Sequence, residues 1–262
     1  MKIGLCIEMA FNKLPFEERM RKAAEAGFEC VEMWFVDGSF KGTPQELAAM
    51  AKRCGVRITN TVVGSPNGRV GGGLTNPANR AQWLERARMS IHFTRDAGIP
   101  ATIVCTGDVV PGMTEAAMMQ SVVDGLQETV RIAEAAGVTL ILEPLNTVRD
   151  HKGYWCDNSD KGADICRRVG SPRMKMLYDC YHMQIMEGDL TGHIRRNLDV
   201  IGHFHSAGHP GRNELWLGET NYPFLVRRIE EMGYTGVFGL EYAPTLEHSE
   251  SLKRTLEYLR AS

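Results

Sequence analysis

Short apolar runs alternate with longer amphipathic stretches along the whole chain, and one phrase keeps returning: a helical stretch, a glycine, then a β-rich run. It occurs as Ala24-Glu25-Ala26-Gly27 before residues 30–34, as Lys52-Arg53-Cys54-Gly55 before 56–61, and as Arg95-Asp96-Ala97-Gly98 before 101–105. It returns as Ala135-Ala136-Gly137 before 138–142 and as Glu231-Met232-Gly233 before 237–240. Glycine just past a helix supplies the left-handed C-terminal cap, and a strand follows within a short loop. With the apolar runs at 3–7, 175–178 and 200–204, the pattern predicts eight strands.

The stretches between them read as helices. Pro15 stands where a first helical turn needs no N–H donor, and Phe16, Met20, Ala23 and Ala24 share one face. Thr43 and Thr114 are the predicted N-caps of two further helices. Strand and helix alternating without hairpins predict a parallel sheet. Eight such units in 262 residues fit a closed (β/α)8 barrel, for which about 250 residues is typical. No linker or low-complexity tract interrupts the chain, so residues 1–262 are expected to form a single α/β domain. Two long loops, 64–77 with five glycines and 147–157, are expected on the C-terminal face, where barrel enzymes build their sites. The glycine-rich loop lacks the order of a phosphate-binding loop and reads as a lid or simply a tolerated loop.

Composition narrows the partners. With 43% hydrophobic residues a sizeable core can be buried. A net charge of −2 with both signs interspersed lacks the basic face that neutralises phosphates, so no nucleic-acid partner is expected. Seven cysteines, an odd number without a C-x-x-C pair, read as small buried thiols in a reducing compartment rather than a disulfide framework. No apolar run reaches the length of a membrane span, and the chain enters a strand without a basic-then-apolar leader. A soluble cytoplasmic protein is the expectation.

Four residues able to bind a metal stand at the ends of four predicted strands. Glu143 follows Leu140-Ile141-Leu142, Asp179 follows Met176-Leu177-Tyr178, His205 follows 200–204 and Glu241 follows 237–240. A barrel brings such ends to one rim, where gathered carboxylates repel unless a cation or a shared proton holds them. For Glu143 or Glu241 alone, a rim salt bridge is the alternative. His203 and His205 form an H-x-H on a strand, so both imidazoles point to one face, one as a ligand and the other deeper in the barrel or supporting it. Three carboxylates and one imidazole make a hard, oxygen-rich site suited to Mn²⁺, Mg²⁺ or Co²⁺, with Zn²⁺ also admissible. Arg212 offers a fork-shaped cation for a substrate carboxylate, with Glu214 or Glu219 as its alternative partners. His92, His151, His193, His209 and His248 read as surface or helix-end residues, and the methionine clusters as packing. The absence of G-x-S-x-G and G-x-G-x-x-G argues against a serine hydrolase and a nicotinamide or flavin enzyme.

At these residues the chain resembles the hydroxypyruvate isomerase family of the xylose-isomerase-like TIM barrels. The matching segments are Leu14-Pro15-Phe16-Glu17-Glu18-Arg19 with Ala26-Gly27-Phe28, Leu142-Glu143-Pro144-Leu145-Asn146-Thr147, and the stretch 179–190 that begins Asp179-Cys180-Tyr181-His182. Pro210-Gly211-Arg212, Gly218-Glu219-Thr220-Asn221-Tyr222-Pro223 and Gly239-Leu240-Glu241-Tyr242 complete them. The resemblance implies a divalent metal held by Glu143, Asp179, His205 and Glu241, with the two glutamates as acid and base. It also implies His182 and Arg212 on the substrate, and a homo-oligomer. The chain departs from the family's pattern at His205, where glutamine is usual and the related ketose 3-epimerases carry histidine. It departs again at Cys6 and Glu8, where Asn and Ser are typical. Both departures are expected where the substrate is read.

The implied chemistry is proton transfer beside a carbonyl through a cis-enediolate, as in converting hydroxypyruvate, or a close hydroxy-oxo acid, to its isomer. A ketose 3-epimerase or another free-sugar isomerase is the alternative, since the same two carboxylates serve both tasks. A multi-zinc DNA-repair endonuclease and a non-catalytic sugar- or acid-binding barrel are the remaining readings. The net charge and the shortage of further histidine ligands oppose the first of these. The full ligand set opposes the second.

Overall fold

A computed structural model describes residues 1–64 and 73–260. Its strands are β1 (Lys2–Cys6), β2 (Cys30–Glu32), β3 (Arg57–Ile58), β4 (Asn60–Val62), β5 (Ala101–Val104), β6 (Thr139–Leu142), β7 (Met174–Asp179), β8 (Ile201–Ser206) and β9 (Val237–Leu240). They form one parallel sheet in the order β3-β2-β1-β9-β8-β7-β6-β5-β4. The two strands at the ends of that order, β3 and β4, are separated in the chain by Thr59 alone, so the sheet closes on itself.

Thr59 shows why the third barrel strand is split. Its N–H donates to Val31 O at 2.9 Å and its hydroxyl reaches the same carbonyl, while Met33 N–H donates to Asn60 O. The run therefore keeps its bonds to the β2 side through the break, then pairs with β5 beyond it. The nine assigned strands are the eight expected ones with one interrupted.

The helices are α1 (Phe16–Glu25), α2 (Pro44–Cys54), α3 (Arg80–Asp96), α4 (Glu115–Ala136), α5 (Ser159–Val169), α6 (Cys180–Met186), α7 (Leu190–Asn197), α8 (Tyr222–Glu231) and α9 (His248–Arg260). Their ends follow the local chemistry. Thr43 and Glu46 form a reciprocal capping box on α2, and the Thr114 hydroxyl accepts from Ala117 N–H at the start of α4. Gly55 and Gly137 close the same two helices at φ of 70° and 71°, where any side chain would be strained. Among the described residues no helix is long and apolar enough to cross a membrane, and all seven cysteines are free, six of them buried.

The expected loop at 64–77 falls largely outside the described residues, at 65–72. The loop at 147–157 is described, and it is not merely draped over the rim. Tyr154 is buried and donates its hydroxyl to Glu143 O at 2.9 Å, while Thr106 N–H donates to that same hydroxyl. The loop thereby fixes the end of β6, where the chemistry begins.

Candidate metal centre and active site

Each of the four candidate ligands is placed by the barrel. Glu143 and Glu241 are the first residues after β6 and β9, Asp179 is the last residue of β7, and His205 stands beside it on β8 in direct register. Asp179 also caps α6, accepting from the N–H of Tyr181 at 2.8 Å, which fixes one carboxylate oxygen and frees the other. All four side chains are buried, and one potential ligand atom from each lies within 4.8 Å of the others.

The atoms that meet there are nearly all acceptors. His205 turns its Nε2 to Glu32 Oε2 at 2.6 Å, which places a donor on that side of the ring. Its Nδ1 then faces Glu143 Oε1 and Glu241 Oε2, each at 3.6 Å, and makes no hydrogen bond among the described residues. A buried lone pair ringed by carboxylates is costly unless a cation or proton sits among them. Burial, opposed by His205 and Arg212, leaves the Asp179 carboxyl pushed up to about 7. Burial would also raise Glu241, but Arg212 and His205 outweigh it and hold that carboxyl below its ordinary value.

Glu241 is clamped from two further sides. Trp34 donates its indole N–H to Oε1 at 2.8 Å, and the Arg212 guanidinium pairs with Oε2. Arg212 pairs with neither Glu214 nor Glu219; Glu214 instead ties down the loop after β9 through Thr245 and Ser251. The Arg212 guanidinium stacks 5.2 Å over the Tyr181 ring, and its backbone sits at φ 56°, a left-handed conformation costing about 1–2 kcal/mol for a side-chain-bearing residue. Its Nε has no hydrogen-bond partner among the described residues.

His182 faces the same space in the opposite protonation sense to His205. Its Nδ1 accepts from the backbone N–H of Asn146 at 3.2 Å, so the ring proton belongs on Nε2. That Nε2 is buried, has no hydrogen-bond partner among the described residues and lies 3.5 Å from Asp179 Oδ2. Burial, with Arg212 and His151 nearby, holds the imidazole well below its ordinary pKa, hence neutral. The cavity these groups share measures about 200 Å³. Its lining mixes polar groups, Glu143, His182, Arg212 and Glu241, with apolar ones such as Phe35, Val62, Ile103 and Leu145.

All six site residues expected from the sequence therefore meet at one cavity or its floor. Three contributors were not foreseen. Glu32 lies inside β2 and bridges His203 and His205; Trp34 orients Glu241; His151 lines the cavity with its ring 5.3 Å from that of His182. The reading of His151 as a surface or helix-end residue is thus corrected: the 147–157 loop folds it inward. A charged residue within the apolar run 30–34 was the available sign of Glu32.

The expectation for Glu8 also needs correcting. Its carboxylate binds Arg19 at 3.0 Å and Ser39 at 2.6 Å and does not line the cavity. Cys6 is buried, and burial with Glu241 and Glu32 nearby raises its thiol well above the ordinary value.

The residues present fit a divalent cation. Three carboxylates and the orphaned Nδ1 of His205 converge, and the opposite ring nitrogen is held by a carboxylate, the usual arrangement behind a metal-bound histidine. Among the described residues the only other cluster of this kind is Glu32 with His203 and His205.

Comparison with known proteins agrees with the barrel fold. Residues 20–262 match the family described as xylose isomerase-like TIM barrel. The chain is 31% identical to a 2-oxo-tetronate isomerase of Cupriavidus necator over 97% of its own length and 96% of the relative's. It is 28% identical to the hydroxypyruvate isomerase of Escherichia coli, covering 93% of this chain and 94% of that one. A crystal structure from Brucella melitensis, described as an AP endonuclease of family 2, superposes with a TM-score of 0.88 at 28% identity, covering 98% and 99% of the two chains. The chain belongs to the xylose isomerase-like TIM barrel family, and within it to the isomerases.

Proposed function

We propose that the protein is a metal-dependent isomerase of small 3-hydroxy-2-oxo acids, with hydroxypyruvate the leading substrate and 2-oxo-tetronate the next. The observation that carries this reading is the pair of buried carboxylates, Glu143 and Glu241, each 3.6 Å from His205 Nδ1 and sharing one cavity with Arg212. Both named substrates present the same unit, a C3 hydroxyl and a C2 carbonyl next to a carboxylate.

A divalent ion held by Glu143, Asp179, His205 and Glu241, Mn²⁺ or Mg²⁺ in the first instance, would supply positive charge beside the carbonyl and hydroxyl oxygens as negative charge develops there. One of the two glutamates takes the proton from C3. A proton returns at C2 while the hydroxyl proton passes from O3 to O2, so hydroxypyruvate becomes tartronate semialdehyde with no atom gained or lost. Trp34 holds Glu241 in a fixed orientation for this transfer. Arg212 turns its free donors to the substrate carboxylate, and His182 offers its Nε2–H to a substrate oxygen. The apolar side chains in the lining limit the water that can reach the reacting carbon.

The cavity volume supports a small acid. About 200 Å³ lies below the roughly 300–1,000 Å³ common for larger ligands. His205 favours the alternative, a ketose 3-epimerase, in which the second glutamate would deliver a proton to the opposite face of the same carbon. Assaying hydroxypyruvate and 2-oxo-tetronate against a panel of free ketoses, each with Mn²⁺ or Mg²⁺, separates the two. Turnover of ketoses alone overturns the acid reading. A nuclease reading needs a cationic surface, which a net charge of −2 does not provide; abasic DNA is expected to pass over the protein unretained at low salt.

A further inference from the structure

Glu32 is buried inside the barrel, and its shortest contact is to the site's one histidine ligand. Oε2 lies 2.6 Å from His205 Nε2 and 3.4 Å from Asn60 Nδ2; Oε1 lies 3.0 Å from His203 Nε2. The barrel leaves room for this carboxylate with two glycines. A Cβ at Gly239 would collide with Glu32 Oε1 and His205 Cδ2, and a Cβ at Gly4 would press on the same Oε1.

We infer that Glu32 is a positioning residue for the metal centre: it holds the His205 proton on Nε2, so that the Nδ1 lone pair points at Glu143 and Glu241. A carboxylate has only acceptors, so both imidazoles facing it must present N–H groups. An amide in its place would offer one donor and one acceptor. It could satisfy only one ring in its present sense, and the other would move its proton to Nδ1. At His205 that proton would stand where the metal is bound.

Glu32, His203 and His205 are close enough to form a metal site of their own. Direct hydrogen bonds of 2.6 and 3.0 Å already join them, however, and neither ring nitrogen facing Glu32 lacks a partner. The cluster supports a ligand rather than binding a second ion.

The inference rests on the metal site proposed above, and its test reads metal binding without substrate. Metal-free protein is titrated with Mn²⁺ while the free ion is followed by electron paramagnetic resonance. One ion per chain is expected for the parent. Glu32→Gln should keep that stoichiometry but bind about 10–100-fold more weakly, the usual cost of losing such a partner. Its far-ultraviolet circular dichroism in chelator should match the parent's, showing that it folds, and its Co²⁺ absorption bands should shift. His203→Gln, which leaves the Glu32–His205 bond intact, should bind within about threefold of the parent, outside that range of loss.

If Glu32→Gln does not fold, Glu32→Asp carries the test, since the shorter carboxylate cannot reach both rings; a weakened affinity at unchanged stoichiometry supports the inference. An affinity within about twofold of the parent for the folded Glu32 variant overturns it. So does a parent that binds two ions and loses one on substitution. Binding of Mn²⁺ without turnover of hydroxy-oxo acids would defeat the substrate reading alone.

Discussion

The backbone N–H of Asn146 lies 3.2 Å from Nδ1 of His182 and its side-chain Nδ2 2.6 Å from the same atom, and these contacts decide what His182 can do. With Nδ1 occupied as an acceptor, the neutral ring presents a donor at Nε2 to the cavity. His205 is set the other way: it donates toward Glu32, so the neutral ring that could ligate a metal carries its lone pair on Nδ1, facing the cavity. Two histidines in one pocket thus have complementary tasks, and the backbone and a buried carboxylate assign them.

His182→Ala should lower kcat/KM for hydroxypyruvate by about ten- to a hundredfold, the range for a hydrogen bond to a charged partner. His182→Gln, which keeps a donor, should recover part of the loss. Because burial holds His182 well below its ordinary pKa, it stays neutral across the assay range and contributes no limb near pH 6.5. A parent profile whose limb near that pH vanishes in His182→Gln would show the ring working as an acid or base instead.

Glu143→Gln and Glu241→Gln should each reduce turnover by about 10²–10⁴-fold, the range expected for loss of a general acid or base. Both residues also face the proposed metal, so bound Mn²⁺ must be measured alongside. Where metal is retained, exchange of the C3 hydrogen with deuterated solvent tells the roles apart. The variant lacking the base loses exchange; the other keeps it. Full activity in both variants would falsify the mechanism.

Much of this centre could be read from the chain, for identifiable reasons. Glu143 and Glu241 each follow a buried apolar run, and strand period two put His203 and His205 on one face. What stayed hidden depends on distant parts of the chain. Glu32 gains its meaning from rings 171 and 173 residues away, and Trp34 from a carboxylate 207 residues away. His151 turns inward because Tyr154 anchors its loop to the end of β6. The break at Thr59 reflects pairing to neighbours on both sides of the strand, which no local pattern encodes.

Arg212→Lys should raise KM for acid substrates by about ten- to a hundredfold with a smaller change in kcat, since a point cation replaces a planar fork. Steady-state assays on hydroxypyruvate give both constants. The left-handed backbone at φ 56° is unchanged by this substitution, so the effect reports the head group. A loss confined to kcat would mean that Arg212 acts through Glu241 rather than on the substrate.

Removing the metal should abolish turnover, and restoring it should raise the melting temperature by an amount that depends on pH. An ion at a hundred times its Kd stabilises by about 2.7 kcal/mol. Burial raises Asp179 to about 7, and His205 is raised well above its ordinary value by Glu32 and Glu241 against the opposing effect of burial. Both groups hold protons in the metal-free native state that they must release to ligate, so binding strengthens as pH rises through that window. His182 stays neutral with or without metal and cancels from the difference. Melting curves with Mn²⁺ and with chelator, compared between pH 5.5 and 8, should show a metal increment that grows with pH. A flat or shrinking increment would mean that neither group is a ligand, and the four-residue centre would have to be abandoned.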